Sequence, residues 1–344
     1  MALVSCPSFE PQTGSRSTPR IATRLFRFVV AAASIIAVSY AYAQQYPIKP
    51  VRMIVPFPPG GGVDAVARSI AQRLSDAWRQ PVIVENRPGA GSTIGAEAVA
   101  KSAGDGYTFL FSDSATFVIN PHLYAKLSYD PFKDFTPITV VCRLAVVLAI
   151  ANSVPVESML ELLAYAKANP GKLTYASPGS GSYTHVAMEL LKKQAGVDIV
   201  HVPYKGSSPA VTDLLSGNVS MYMINYSVFD RLDRAGKLKL IATATPTRLT
   251  VRPELPTISE SGVPGYSVNV WYGMAAPATT PAPILDKVHA DVVRILQDVE
   301  FSEKVFKPIA AEAGGNSSAE FAAELKKEFV RWAELVRISG AKLD

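Results

Sequence analysis

Twice in this chain a short apolar strand runs into a glycine-rich loop and then a helix. Val51–Val55 leads through Pro56-Phe57-Pro58-Pro59-Gly60-Gly61-Gly62 into a segment with Val66, Ile70 and Leu74 spaced four apart on one face. Leu173–Ser177 leads through Pro178-Gly179-Ser180-Gly181-Ser182 into a helix over 183–195. Repeated strand, loop and helix constrain the chain to an α/β architecture. Two such units in 344 residues fit two lobes of ordinary size. Loops at the carboxyl ends of strands, one in each lobe, would place a ligand in the crevice between them.

The remaining segments fit the same plan. Pro81–Glu85 reads as a strand, and Ser92 as the cap of a helix running to about Lys101. Tyr107–Ser112 is a third strand. From Ile138 to Ala151 the chain is almost continuously apolar but too short to span a bilayer, which indicates one long buried strand or two consecutive ones. A helix over 156–168 follows, then strand Ile199–Val202. Ser208 is placed as a cap and Pro209 as the first residue of a helix over 209–216. Strands Met221–Asn225, Leu238–Thr243 and Ser267–Ala275 precede helices over about 281–298, 300–309 and 317–340. The last carries an apolar stripe of Phe321, Leu325, Phe329, Trp332 and Val336, which reads as a packing face.

Net charge is +5, a value that on its face suggests a nucleic-acid partner. Its distribution says otherwise. Arg16, Arg20, Arg24 and Arg27 precede an apolar run from Phe28 to Val38, followed by Ala41-Tyr42-Ala43. A basic segment, a short apolar stretch and an A-x-A end form a secretory signal, with cleavage expected after Ala43. The apolar run falls short of the ~20 residues a membrane anchor needs. Without residues 1–43 the chain holds 30 Lys+Arg against 28 Asp+Glu, with no basic cluster of the kind that tracks phosphates. No nucleic-acid partner is expected, and the signal marks an exported protein.

The glycine loops carry the chemistry. Gly60-x-Gly62-x-x-Ala65, with Glu85 twenty residues further on, has the outline of a dinucleotide fingerprint. Pro56, Pro58 and Pro59 stiffen that loop and remove amide donors a pyrophosphate would use, and no Lys-Ser/Thr pair follows as in a P-loop. Glycines at a helix N-terminus nonetheless leave backbone N–H groups open to an anion, and the helix dipole favours negative charge there. The Ser177–Ser182 and Gly206–Ser208 loops repeat the arrangement with hydroxyls added. Three such termini around one cleft favour binding of a carboxylate.

Catalytic and metal chemistry find little support. No two of His122, His185, His201 and His289 have zinc-motif spacing, and no G-x-S-x-G elbow is present. Neither a cofactor nor a metal is expected, nor an enzymatic activity. Cys142 reads as a buried hydrophobe. His185, one turn into its helix, can reach a ligand carboxylate or satisfy a backbone carbonyl; the sequence favours neither. Asp64 and Arg68 have the spacing of a structural i,i+4 ion pair.

Seven stretches together resemble the substrate-binding proteins of tripartite tricarboxylate transporters, the Bordetella uptake gene family. They are Tyr46-Pro47-Ile48-Lys49-Pro50, Val55-Pro56-Phe57-Pro58-Pro59-Gly60-Gly61, Val84-Glu85-Asn86-Arg87-Pro88-Gly89-Ala90-Gly91, Asp105-Gly106-Tyr107-Thr108, Tyr129-Asp130-Pro131, Val202-Pro203-Tyr204-Lys205-Gly206 and Glu260-Ser261-Gly262-Val263-Pro264-Gly265. The resemblance keeps its order across the mature chain. It implies a periplasmic binding protein fold of type II-like form, with lobe 1 from 46–144 plus 271–344 and lobe 2 from 145–270. It also implies that backbone amides, hydroxyls and waters hold a ligand carboxylate. Carried onto this chain, the contacts are Phe57, Gly60 and Gly61 in the first loop, and Ser177, Gly181, Ser182 and His185 in the second. Tyr204, Gly206 and Asn225 lie nearby, with Ser112 and Thr116 from the end of the third strand.

Where many members of that family carry aspartates in the strand matching Val219–Asn225, this chain has Ser220 and Ile224. The difference points to a ligand without an amine, and Phe57, Tyr183, Tyr204, Tyr226 and Trp271 suggest an aromatic one. The function implied is capture of a small organic carboxylate and delivery to membrane subunits of a transporter. The alternative is a periplasmic sensor that feeds a two-component system.

Overall fold

The computed structural model describes residues 46–180 and 182–340. The expected signal segment and Gly181 lie outside the described residues.

Two mixed sheets organise the chain. The first contains β1 (Val51–Val55), β2 (Val82–Asn86), β3 (Thr108–Asp113), β4 (Phe135–Leu144), β10 (Val270–Pro277) and β11 (Ala311–Ala313), in the order β11-β4-β10-β3-β1-β2. β1 runs parallel to β2 and β3, whereas β10 is antiparallel to both β3 and β4. The second sheet contains β5 (Val146–Ile150), β6 (Thr174–Ser177), β7 (Val200–Pro203), β8 (Met221–Asn225) and β9 (Lys239–Thr243), in the order β7-β6-β8-β5-β9. Here β6 lies parallel to β7 and β8, and β5 is antiparallel to β8 and β9.

Helices cover the sheets because the strands are apolar on both faces. α1 (Gly62–Trp78) buries Val63, Val66, Ala67, Ile70, Ala71 and Leu74, a continuous stripe at three- and four-residue spacing, and ends on Arg79 in the left-handed region. α2 (Thr93–Ala100) packs beside β1 and β3, and the short α3 (Asn120–Leu123) follows β3. In the second lobe α4 (Met159–Ala168) is capped by Ser158, whose side chain accepts from the Glu161 amide. α5 (Tyr183–Ala195) and α6 (Ser207–Leu215) follow β6 and β7. α7 (Tyr226–Arg234) follows β8, and α8 (Ala282–Leu296) follows β10. The final helix, α9 (Ser318–Ser339), opens with a reciprocal capping box between Ser317 and Glu320. Its stripe of Phe321, Leu325, Trp332, Leu335 and Val336 is buried, and it packs on β4 and also on α5 of the second lobe.

The apolar run from Ile138 to Ala151 resolves into two strands. β4 belongs to the first sheet and β5 to the second, with Ala145 alone between them. The chain therefore passes from lobe to lobe in fully extended form, and both halves are buried.

Several local expectations are corrected. Ser92 stands before α2 in a left-handed conformation and makes no cap; its hydroxyl instead bonds Thr116. α6 begins at Ser207 with Gly206 as its N-cap, so Ser208 and Pro209 lie inside the first turn. The segment over 300–309 is broken into a single α turn, a π turn and a 3₁₀ turn. β11 was not expected at all.

Candidate functional site

The first loop is braced by its own hydrogen bonds. Gly60 has φ 84°, a left-handed value that favours glycine, and nothing crowds the position of a Cβ there. Its N–H donates to Asp64 Oδ2 at 2.9 Å, and the same carboxylate accepts from Arg68 Nε at 2.9 Å and Asn86 Nδ2 at 2.8 Å. Burial works to raise the Asp64 carboxyl, but the bonds from Arg68, Gly60 and Asn86 outweigh it and leave its pKa below the ordinary value. Asn86 also donates to the Phe57 carbonyl at 3.1 Å. The expected Asp64–Arg68 pair is therefore present and does more than brace a helix. It ties the loop down and occupies the Gly60 amide, so the donors left without intrahelical partners at this end of α1 begin at Gly61 and Gly62.

In the second lobe the expected loops are tied together. Ser182 caps α5, accepting from the His185 amide at 3.4 Å and donating to the Gly179 carbonyl at 2.7 Å. Ser177 is fully buried, its Oγ placed 2.7 Å from His201 Nε2 and 3.0 Å from the Gly179 carbonyl. The Tyr204 amide donates to the Ser177 carbonyl and the Gly206 amide to the Pro178 carbonyl, at 2.9 and 3.1 Å. His185 stacks on His201 with ring centroids 4.1 Å apart, and Tyr175 lies 4.8 Å from His201 and 6.5 Å from His185. Burial, with the neighbouring His185, lowers the His201 pKa to about 4. Burial lowers the His185 pKa as well.

Tyr183, Asn225 and Tyr272 join the two lobes. Tyr183, the first residue of α5, donates its hydroxyl to Asn225 Oδ1 at 2.8 Å. The Asn225 side chain also lies within electrostatic reach of the Tyr272 hydroxyl, which comes from β10 of the other sheet. That hydroxyl stands 2.9 Å from where a Cβ on Gly62 would be, at the mouth of α1. Two helix N-termini, one from each lobe, are thus linked through three side chains. A Cβ at 62 would press on the end of the Tyr272 side chain, which would have to shift to make room.

Ser112 and Thr116 are both fully buried. Thr116 Oγ1 lies 2.6 Å from Ser112 Oγ and 2.7 Å from Ser92 Oγ, and Asn120 completes the network at 3.1 Å from Ser92. These hydroxyls bond one another rather than opening to solvent. The aromatic set is not assembled as expected. Trp271 is fully buried against Phe117 and Phe321, with centroids 5.7 and 5.0 Å away. The Tyr204 hydroxyl turns to Asp213 and that of Tyr226 to Asp230. The strand of Trp271 instead supplies Tyr272, directly opposite Asp113 on β3. Sequence reasoning passed over both; strand alternation was the available signal, since exchanging Trp271 for Tyr272 exchanges the face.

Among the described residues no group of three or more His, Cys, Asp and Glu side chains is placed to hold a metal ion. Cys142 is buried, and burial pushes its thiol up to about 12. A cavity of about 80 Å³ opens beside the crossing strands, lined in part by Arg143, Ala145, Thr245, Arg248 and Glu312.

Two α/β lobes joined by an extended crossing, with polar groups gathered where helix N-termini meet, define a solute-binding protein of the periplasmic type. Residues 66–339 match the family described as "Tripartite tricarboxylate transporter family receptor", and the chain belongs to that family. Protein BugT of Bordetella pertussis is 37% identical over 308 residues, covering 88% of this chain and 92% of its own. Among solved structures, that of R. palustris Rpa4515 with adipate has 36% identity and a TM-score of 0.79, covering 87% of this chain and all of the other. MatC from Rhodopseudomonas palustris, with bound malate, has 32% identity and a TM-score of 0.74, covering 85% of this chain and all of the other. No helix among the described residues is long and apolar enough to cross a membrane.

Proposed function

We propose that the exported chain captures a small organic dicarboxylate in the periplasm, in the cleft between its lobes, and delivers it to the membrane subunits of a tripartite transporter. The observation that carries this reading is the link from Gly62 through Tyr272 and Asn225 to Tyr183. It brings the N-termini of α1 and α5 to one place, and amides at such termini hold an anion without formal positive charge. The relatives solved with adipate and with malate support the ligand class. Phe57, Gly61, Ser182, Tyr183, Asn225 and Tyr272 are the proposed contacts, with Gly60, Ser177, Tyr204 and Gly206 shaping the loops. Ser112 and Thr116 would act through the strand end they support. Gly181 and His185 are retained as contributors to the second loop. With Trp271, Tyr204 and Tyr226 turned away, an aliphatic ligand fits better than an aromatic one. We read the chain as a binder with no turnover.

Lobe closure would exclude water and strengthen the bonds to the carboxylate. A thermal-shift screen of residues 44–344 against succinate, malate, adipate, citrate and benzoate tests the reading. A ligand at about 100 times its dissociation constant stabilises by about 2.7 kcal/mol. A shift of that size is expected for at least one aliphatic dicarboxylate. A flat response to the whole panel from folded protein would refute it.

A further inference from the structure

Asp113 ends β3 in the middle of the first sheet, and the proposed site makes no use of it. Its cross-strand partner is Tyr272, so the two side chains share a face of the sheet. The Asp113 charge reaches both Tyr272 and, on α5 of the second lobe, Tyr183. Its Oδ1 lies 3.4 Å from the Thr116 amide and 3.5 Å from Thr116 Oγ1, and the Ala115 amide also bonds it. Beside it the Ser114 hydroxyl is buried without a hydrogen-bond partner. An acid thus stands where the two lobes meet, close to the phenols assigned to ligand.

Anion capture next to a carboxylate poses an electrostatic problem, since two like charges in a closed, water-poor cleft repel. One proton held between them turns the repulsion into a charge-assisted O–H···O⁻ bond. We propose that Asp113 is a specificity residue that binds in its acid form, donating a hydrogen bond to the ligand carboxylate, so that capture takes up a proton. This rests on the carboxylate reading above.

The surroundings leave Asp113 as the group that titrates near neutrality. Burial outweighs the bonds from Thr116 and Ala115 and raises its pKa from the ordinary 3.8 to about 6. No basic side chain contributes to that shift. The facing groups are Tyr272 on β10, Tyr183 on α5 and Tyr129 in the loop before β4, each pushed further up by burial. Cys142 on β4, which acts on Tyr272, is pushed up to about 12 by burial. None of these changes charge between about pH 6 and 8.

If only the acid form binds, the ligand-competent fraction falls from about one half at pH 6 to about one hundredth at pH 8. Affinity should therefore weaken about 50-fold over that range. The test is calorimetric titration of residues 44–344 with the strongest binder of the same panel, at both pH values and in buffers of different ionisation enthalpy. We expect the 50-fold weakening, close to one proton taken up per ligand near pH 7, and loss of both in Asp113→Asn. The proton count on the unaltered protein stands even if that variant fails to fold. Binding with equal affinity at both pH values and no proton uptake overturns the proposal while leaving the carboxylate reading intact. So does tighter binding of 6-aminohexanoate than of adipate, which would make Asp113 a counter-ion. No binding by any panel member at either pH removes both readings together.

Discussion

Asp64 shows how one side chain can decide what a loop has left to offer. Three N–H donors converge on it, from Gly60, Arg68 and Asn86. Asp64→Asn should cost about 1–3 kcal/mol, the range for bonds to a buried charged group, measured by urea unfolding of residues 44–344. The carboxyl's folded pKa lies below its ordinary 3.8, so its stabilising contribution is complete above that value and is lost as pH falls through the lower one. The difference between wild type and variant should accordingly shrink in strong acid. A variant as stable as wild type at neutral pH would show that Asp64 does not hold the loop. The i,i+4 spacing made the Arg68 pair legible from sequence, but the bonds to Gly60 and Asn86 depend on β1 and β2 lying side by side. The same limit applies to facing. Ser112 and Asp113 are neighbours on β3, as are Trp271 and Tyr272 on β10, and alternation sends each pair to opposite faces. Without knowing which face met the second lobe, Ser112 and Trp271 looked the better candidates.

At the scale of elements, α2 is seated by a glycine rather than by its cap. A Cβ at Gly95 would meet the Pro56 Cβ at 2.7 Å, the Arg87 carbonyl at 2.8 Å and the Pro56 Cα at 2.9 Å. Pro56 opens the first loop, so the packing of α2 on β1 sets where that loop begins. Gly95→Ala should destabilise by about 1–3 kcal/mol through overpacking and weaken carboxylate binding by displacing the loop. Melting temperature and the thermal-shift response to the panel read the two effects separately. An unchanged melting temperature would contradict the close approach. Elements with their own periodicity, such as α1 and α9, were legible in the sequence. The unforeseen ones were those that exist only through partners. β11 is three residues long and pairs with β4 alone. The turns over 299–309 change type every few residues because Phe301 and Phe306 are both drawn into the core.

At the scale of the molecule, the doubled strand–loop–helix unit already implied two lobes, and the apolar stretch at 138–151 proved to be a passage between them. Its sequence did not reveal that Ala145 marks the change of sheet, since every residue from Val140 to Ala151 except Arg143 is buried whichever sheet it joins. On the proposed reading, with charge nearly balanced after residue 43, helix termini and hydroxyls attract the anion. Calorimetric titration of residues 44–344 with adipate or malate, each beside its uncharged diamide, addresses that claim most directly. We expect one-to-one saturable binding of at least one of the two acids and none of its diamide. Equal binding of acid and diamide would contradict recognition of a carboxylate, as would binding of neither acid by folded protein.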